Sequence, residues 1–384
     1  MTARTLSAAP PVGGTVRHLY VHIPFCHRIC PYCSFYKHTP GATEMQAFVT
    51  GLLAELDHHR RELDIRPQTI YFGGGTPSML SPKHTAALLD GLRGRLDLGE
   101  LAEWTLEANP RTFDVDKARQ WTEAGVTRVS LGVQSWNPKH LETLGRDHSP
   151  EEAEEAFHIL REAGMPVVNI DHMFALPGQT PDEWKADLQN TILLEPDHIS
   201  TYNLTYEEDT EFMKRFERGE YHQDPDADAV FFELARDHLR AAGFEHYETS
   251  NFARAGDAKD RRSVHNRAYW AGADYLGLGP GAVSTVGGQR WTSLADTARY
   301  IECVERFGTA ATGIEPLGPE EWRLERIALG LRTSEGIPMA LLAEDRRENL
   351  STLETEGLLV LDNERIILTD RGRLLVDSVA TALV

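Results

Sequence analysis

Three cysteines crowd into one stretch, YVHIPFCHRICPYCSFYK over residues 20–37, at Cys26, Cys30 and Cys33. Their spacing is C-x3-C-x2-C, and the fourth cysteine, Cys303, lies far away in the chain. Iron–sulfur clusters take thiolate ligands, and an all-cysteine cubane uses four of them. A loop that supplies three can hold three irons and leave the fourth open to another molecule. The competing reading is zinc, with His22 or His27 completing a Cys3His set. A disulfide framework fits poorly, because an odd cluster in a long chain without an export signal does not look secreted. Spacing alone leaves cluster and zinc both open.

Positioning such a loop requires a rigid frame. Short β-type runs at 18–22, 69–72, 104–107, 128–133, 167–173 and 198–204 alternate with helical patterns at 45–62, 81–96, 114–124, 150–163 and 181–194. That alternation predicts a parallel sheet with crossover helices. Three helices are expected to end at Ala-Gly pairs (Gly125, Gly164, Gly243), where glycine takes the left-handed conformation. Six β/α units predict an α/β fold with an open, partial barrel, since a closed eight-stranded barrel usually needs about 250 residues.

Parallel α/β sheets bind ligands at the carboxyl ends of their strands, and the polar and glycine-rich residues fall there. The cysteine loop follows the first strand and Gly73-Gly74-Gly75-Thr76-Pro77-Ser78 the second. Glu107 ends the third, Gln134 the fourth, with Arg146 soon after. Asp171 sits in the fifth, and Tyr202, Asn203 and Thr205 come from the sixth. Glu107 and Asp171 are acceptors suited to an amine or ribose hydroxyls, and Arg146 suits a carboxylate by its fork of donors. The three glycines let backbone groups approach a ligand closely. Singly, each is an ordinary turn or surface residue; a polar group at every strand end is hard to ascribe to packing.

The cysteine loop with its following aromatic, together with Gly-Gly-Gly-Thr-Pro-Ser, Glu107-Ala-Asn-Pro, Ser130-Leu-Gly-Val-Gln134-Ser, Leu144-Gly-Arg146, Asn169-Ile-Asp171 and Leu176-Pro-Gly-Gln-Thr, resembles the oxygen-independent coproporphyrinogen III oxidase family of radical S-adenosylmethionine (SAM) proteins. The resemblance covers most of the chain. It implies a [4Fe–4S] cluster on Cys26, Cys30 and Cys33, and SAM held by Tyr20, Tyr32, Gly75, Thr76, Glu107, Gln134, Arg146 and Asp171. It also implies a partial (β/α)6 barrel with a smaller C-terminal domain.

Within that family the chain looks most like the heme chaperone branch. Decarboxylating members carry a further cysteine two residues after the third, where Phe35 stands here, and a longer N-terminal extension. The segment His265-Asn-Arg-Ala-Tyr269-Trp270 matches the H-N-x-x-Y-W motif of the chaperone branch, which implies His265 as a heme ligand. The competing reading of His265 is a histidine satisfied inside an aromatic core. Two residues depart from the family pattern near the proposed SAM pocket: His172 stands for an aliphatic residue and Ala175 for a glycine. The resemblance thus implies heme binding and transfer to an acceptor protein. The alternative, from a different class, is a coproporphyrinogen III dehydrogenase acting in porphyrin biosynthesis.

The composition limits partners. With 39 Lys and Arg against 59 Asp and Glu, the net charge is −20, which disfavours nucleic acid and anionic membranes. No apolar run approaches the roughly 20 residues of a transmembrane segment, and few cysteines with no export signal point to the cytoplasm. Residues 1–15 read as a flexible tail, 16–210 as the barrel and 211–317 as an extension carrying the H-N-x-x-Y-W motif. Within that extension, 225–242 reads as an amphipathic helix and 244–252 as a strand. The charged loop at 253–263 follows, placed to gate a bound tetrapyrrole. Residues 318–384 read as a winged-helix-like domain, with 8 basic and 13 acidic side chains, suited to structure or partner docking and to covering the barrel mouth.

Overall fold

Along the central strands apolar and polar residues alternate, and the two sets face different surroundings. In the computed structural model, which describes residues 15–41, 44–256 and 259–384, six strands pair in parallel and in sequence order. They are β1 (Thr15–Ile23), β2 (Asp64–Gly74), β3 (Glu103–Ala108), β4 (Arg128–Gln134), β5 (Val167–Phe174) and β6 (His198–Asn203). One face of these strands carries Leu19, Val21, Ile70, Phe72, Trp104, Leu106, Val129, Leu131, Val168 and Ile170, all buried in the main core. Helices Glu44–His59, Pro82–Arg93 and Pro150–Glu162 close over that face with Phe48, Leu52, Leu88 and Phe157. The other face carries His18, Tyr20, Thr69, Tyr71, Glu103, Glu107, Arg128, Ser130, Asn169, Asp171 and His198. These pair largely with one another across the strands. A period of two thus separates a greasy exterior from a hydrogen-bonded interior.

The expected partial (β/α)6 barrel is present, and its helix ends follow simple local chemistry. Ser81, Asp114, Ser149 and Thr180 cap the helices that follow them, the last two with reciprocal capping boxes through Glu152 and Glu183. Gly125, Gly164 and Gly243 all have positive φ, as the Ala-Gly pairs predicted.

The sheet is wider than the sequence pattern indicated. Beyond β6 it adds the antiparallel pair β7 (Phe244–Glu248) and β8 (Asn251–Arg254), so the single strand expected over 244–252 is a hairpin that turns at Thr249-Ser250. Beyond β1 it adds β9 (Tyr275–Leu278), parallel to β1, followed by the antiparallel strands β10 (Val283–Val286), β11 (Gln289–Ser293) and β12 (Ala311–Pro316). In the amphipathic helix Pro225–Ala241, Phe231, Ala235 and Leu239 are buried, whereas Val230 is exposed.

The C-terminal segment packs helices Pro319–Leu331, Arg347–Thr355 and Val376–Leu383 against a small antiparallel sheet of β13 (Ile337–Pro338), β14 (Leu359–Asp362) and β15 (Arg365–Leu368) around its own core. It does not cover the barrel mouth. It sits at the opposite end, because its charged groups meet partners there: Arg332 pairs with Glu248, Glu335 with Arg267, and Arg373 donates to His246 O. Of the tail expected over 1–15, Thr15 begins β1 and the rest lies outside the described residues, as do residues 257 and 258 of the expected gating loop. No helix among the described residues is long and apolar enough to cross a membrane.

Candidate functional site

At the carboxyl ends of β1–β6 the strand-end residues line one cavity of about 450 Å³. Cys26, Cys30, Tyr32, Cys33, Gly75, Thr76, Glu107, Gln134, Arg146 and Asp171 all contribute to its wall. Phe35 stands among them and is 66% exposed. The cysteine loop is tied down from both sides. Cys26 N donates to His38 O at 3.0 Å and Thr76 N to Phe25 O at 2.7 Å. The second contact is close enough that a side chain on Gly75 would meet Pro24 C at 2.7 Å and Phe25 O at 2.8 Å. Glycine at 75 is therefore what lets the two loops touch.

All three thiols are free. Burial pushes the Cys26 and Cys33 thiols up, while Thr76 beside the first and Lys37 beside the second pull them back. Arg146 is half-buried next to them, its Nη1 3.8 Å from Cys30 Sγ. Its Nη2 donates to Asn109 Oδ1 at 2.6 Å and Gly132 O at 2.7 Å, and its Nε has no partner. A guanidinium with no salt bridge among the described residues and a spare donor favours thiolate and a ligand carboxylate together.

Across the cavity stand two carboxylates with no ion pair among the described residues, though the Arg146 charge acts on Asp171 from the facing wall. Glu107 accepts from Tyr71 Oη at 2.7 Å; burial, with Asp171 adding to it, pushes its carboxyl up to about 7. Asp171 accepts from Ser130 Oγ at 2.8 Å and Asn169 Nδ2 at 2.7 Å, and burial raises it as well. Gln134 turns into the cavity on a left-handed backbone, φ 71°, a strain typical of ligand-holding positions. Three thiols and a cation on one wall, with two carboxylates and a backbone cradle opposite, suit a three-cysteine cluster whose open iron holds a zwitterionic ligand. They suit zinc poorly. His22 is held by Tyr20 Oη at 3.0 Å and Tyr36 O at 2.8 Å, and His27 pairs outward with Asp147 at 3.1 Å. No three His, Cys, Asp or Glu side chains among the described residues converge on a single-ion site.

Two expected site residues are elsewhere. Tyr20 lies behind Tyr71, rings stacked at 6.2 Å, with its hydroxyl on His22. His265 is buried in the barrel floor on helix Val264–Trp270, where Thr69 Oγ1 meets its Nδ1 at 2.7 Å and Tyr71 lies 5.0 Å away. Burial lowers it to about 4, so the ring is neutral. Of the two departures from the family pattern, His172 faces out of the barrel onto Trp136 and Trp184 and does not reach the cavity. Ala175 has φ 58°, the conformation glycine takes more easily. Tyr71, Lys37 and Met173 line the cavity and were not anticipated. Tyr71 was findable, since it shares a face of β2 with Gly73.

Residues 20–190 match the Radical SAM superfamily and residues 317–375 the HemN C-terminal domain. The chain is 36% identical to the heme chaperone HemW of Mycobacterium tuberculosis, over 98% of this chain and 97% of the relative. This chain belongs to the HemW family of radical SAM proteins. The HemW of Escherichia coli is 42% identical over 69% of this chain and 68% of its own. Among solved structures, the coproporphyrinogen III oxidase HemN of Escherichia coli superposes with a TM-score of 0.84, covering 98% of this chain and 91% of its own. At 24% identity that likeness establishes the fold alone. Radical SAM membership carries a [4Fe–4S] cluster and SAM with it, and the cavity of this HemW relative has the donors for both.

Proposed function

We propose that the protein binds heme and passes it to an acceptor protein in the cytoplasm, with a [4Fe–4S] cluster on Cys26, Cys30 and Cys33 and SAM beside it. The observation that carries the reading is the near-full-length identity to relatives named heme chaperones. Phe35 supports it, since a bulky apolar ring stands at the mouth where decarboxylating members have a thiol. When bound, the cluster supplies one-electron reduction of SAM. Arg146 would hold the SAM carboxylate, and Glu107 and Asp171 its ammonium or ribose hydroxyls. Tyr32, Gly75, Thr76 and Gln134 would complete that wall; Tyr20 acts only through Tyr71.

Anaerobic reconstitution tests this. The wild-type protein is expected to bind iron and sulfide in a form lost in Cys30→Ala. It is expected to take up heme stoichiometrically, read as a Soret band, and to leave coproporphyrinogen III unchanged in the presence of SAM and reductant. Decarboxylated product would instead favour the dehydrogenase, and the absence of a Soret band would remove heme handling altogether.

A further inference from the structure

A second cavity, of about 570 Å³, lies at the other end of the barrel, between its floor and the C-terminal domain. Its charged lining departs from the rest of this acidic molecule: Arg262, Arg267, Arg326 and Arg365 against one acid, Glu335. Two of the arginines are neutralised, Arg262 by Asp260 at 2.7 Å and Arg267 by Glu335 at 2.7 Å. The other two meet no carboxylate among the described residues. Arg326 donates to Trp270 O, and Arg365 to Glu335 O at 2.7 Å and Gly336 O at 2.8 Å. Arg326 is only 7% exposed, and burial lowers its pKa, so its charge stands at a cost that a bound anion would relieve.

The remaining wall offers flat apolar surface from Trp270 and Trp322, the latter half-exposed. It also offers one imidazole. His18, not His265, reaches this cavity. The two rings share Thr69, whose Oγ1 lies 2.9 Å from His18 Nδ1 and 2.7 Å from His265 Nδ1. Thr69 is fully buried and its hydroxyl carries a single hydrogen. Donating that hydrogen to one ring and accepting from the other satisfies all three groups. The two imidazoles therefore hold opposite tautomers, and one of them has a bare Nε2 able to ligate a metal. Among the described residues the His18 side chain bonds through Nδ1 alone, and burial lowers its pKa, which keeps the ring neutral.

A volume in the usual range for small-ligand sites, two guanidinium groups held by backbone carbonyls and without a carboxylate partner among the described residues, two indole faces and a neutral imidazole match a planar metallomacrocycle with carboxylate arms. Resting on the heme-handling reading above, we infer that heme sits in this floor cavity, its carboxylates on Arg326 and Arg365 and its iron facing His18. The seat is then at the opposite end of the barrel from the cysteine loop.

The test compares heme with heme dimethyl ester, which keeps the ring and loses the carboxylates. Full-length Arg365→Gln and Arg326→Gln are expected to weaken heme binding about tenfold each while leaving the ester unaffected. His18→Ala is expected to shift the Soret maximum. Unchanged SAM binding and circular dichroism serve as the fold control, with Arg365→Gln, at a half-buried position, the variant that keeps the test open if Arg326→Gln unfolds. Heme affinity unaltered in both arginine variants overturns the site, as does equal loss of heme and ester. An unmoved Soret band in His18→Ala overturns the ligand assignment. If the wild-type protein takes up no heme, the proposed function has failed rather than this site.

Discussion

Glu107 shows how the ligand-free cavity is built at a cost. Its carboxyl lies beside Asp171 with no ion pair among the described residues, and burial pushes its pKa up to about 7. The folded state therefore holds a proton that the unfolded chain, with an ordinary carboxyl, releases at lower pH. That contribution is full below the unfolded pKa, declines as pH rises, and is gone above the folded value. The shift corresponds to about 3 kcal/mol as an upper bound. Glu107→Gln should thus leave the thermal midpoint of the SAM-free protein unchanged near pH 4 and raise it at pH 8, while abolishing SAM binding by calorimetry. A variant less stable than wild type at pH 8 would mean the carboxylate is structural. The strand-end rule made Glu107, Gln134, Arg146 and Asp171 legible because each residue's chemistry is local to its position. It did not show that Tyr20 lies behind Tyr71, because a period of two reports the face of a strand and not the height within the barrel.

The floor of the barrel is made by an element that neither its periodicity nor its length would suggest. Helix Val264–Trp270 is short, and its first turn is held by a carboxylate 162 positions earlier in the chain. Glu103 accepts from Ser263 Oγ at 3.2 Å, Val264 N at 3.1 Å and His265 N at 2.9 Å, and pairs with Arg128 at 2.9 Å. Burial pushes this carboxyl up, but Arg128 and the two backbone donors outweigh it and hold it below the usual range. Glu103→Ala would strand a buried guanidinium and several donors at once, so it should cost about 3–5 kcal/mol in urea unfolding at pH 7. Because the folded pKa is depressed, wild type and variant should converge as pH falls through and below about 4. A cost under about 1 kcal/mol at pH 7 would mean that the helix is held by its apolar contacts instead. The H-N-x-x-Y-W segment was recognisable as a motif. Its role as a plug was not, because the partner that holds it lies on a different strand.

At the scale of the whole molecule, the C-terminal domain docks under the barrel through a few charged contacts, and burial decides which of them matter. Arg240 and Asp370 form a double hydrogen bond at 2.6 and 2.7 Å, but both side chains are about two-fifths exposed. Arg332 makes a single 3.1 Å contact with Glu248, whose side chain is 1% exposed. The other Glu248 oxygen is committed to Ser250 N and Asn251 Nδ2, so losing Arg332 leaves a buried anion without its cation. The mouth-covering position expected for this domain required knowing where such anions lie, and the turn between β7 and β8 that follows Glu248 read as continuous strand. Arg332→Ala should therefore destabilise the docked state by about 2 kcal/mol, and Arg240→Ala by less than 1 despite its better geometry. Limited proteolysis of the full-length protein reads this directly. Cleavage near residues 317–318 should accelerate in Arg332→Ala and stay close to wild type in Arg240→Ala, with SAM binding at the far end intact in both. The reverse order would show that the exposed bidentate pair, not the buried anion, holds the two parts together.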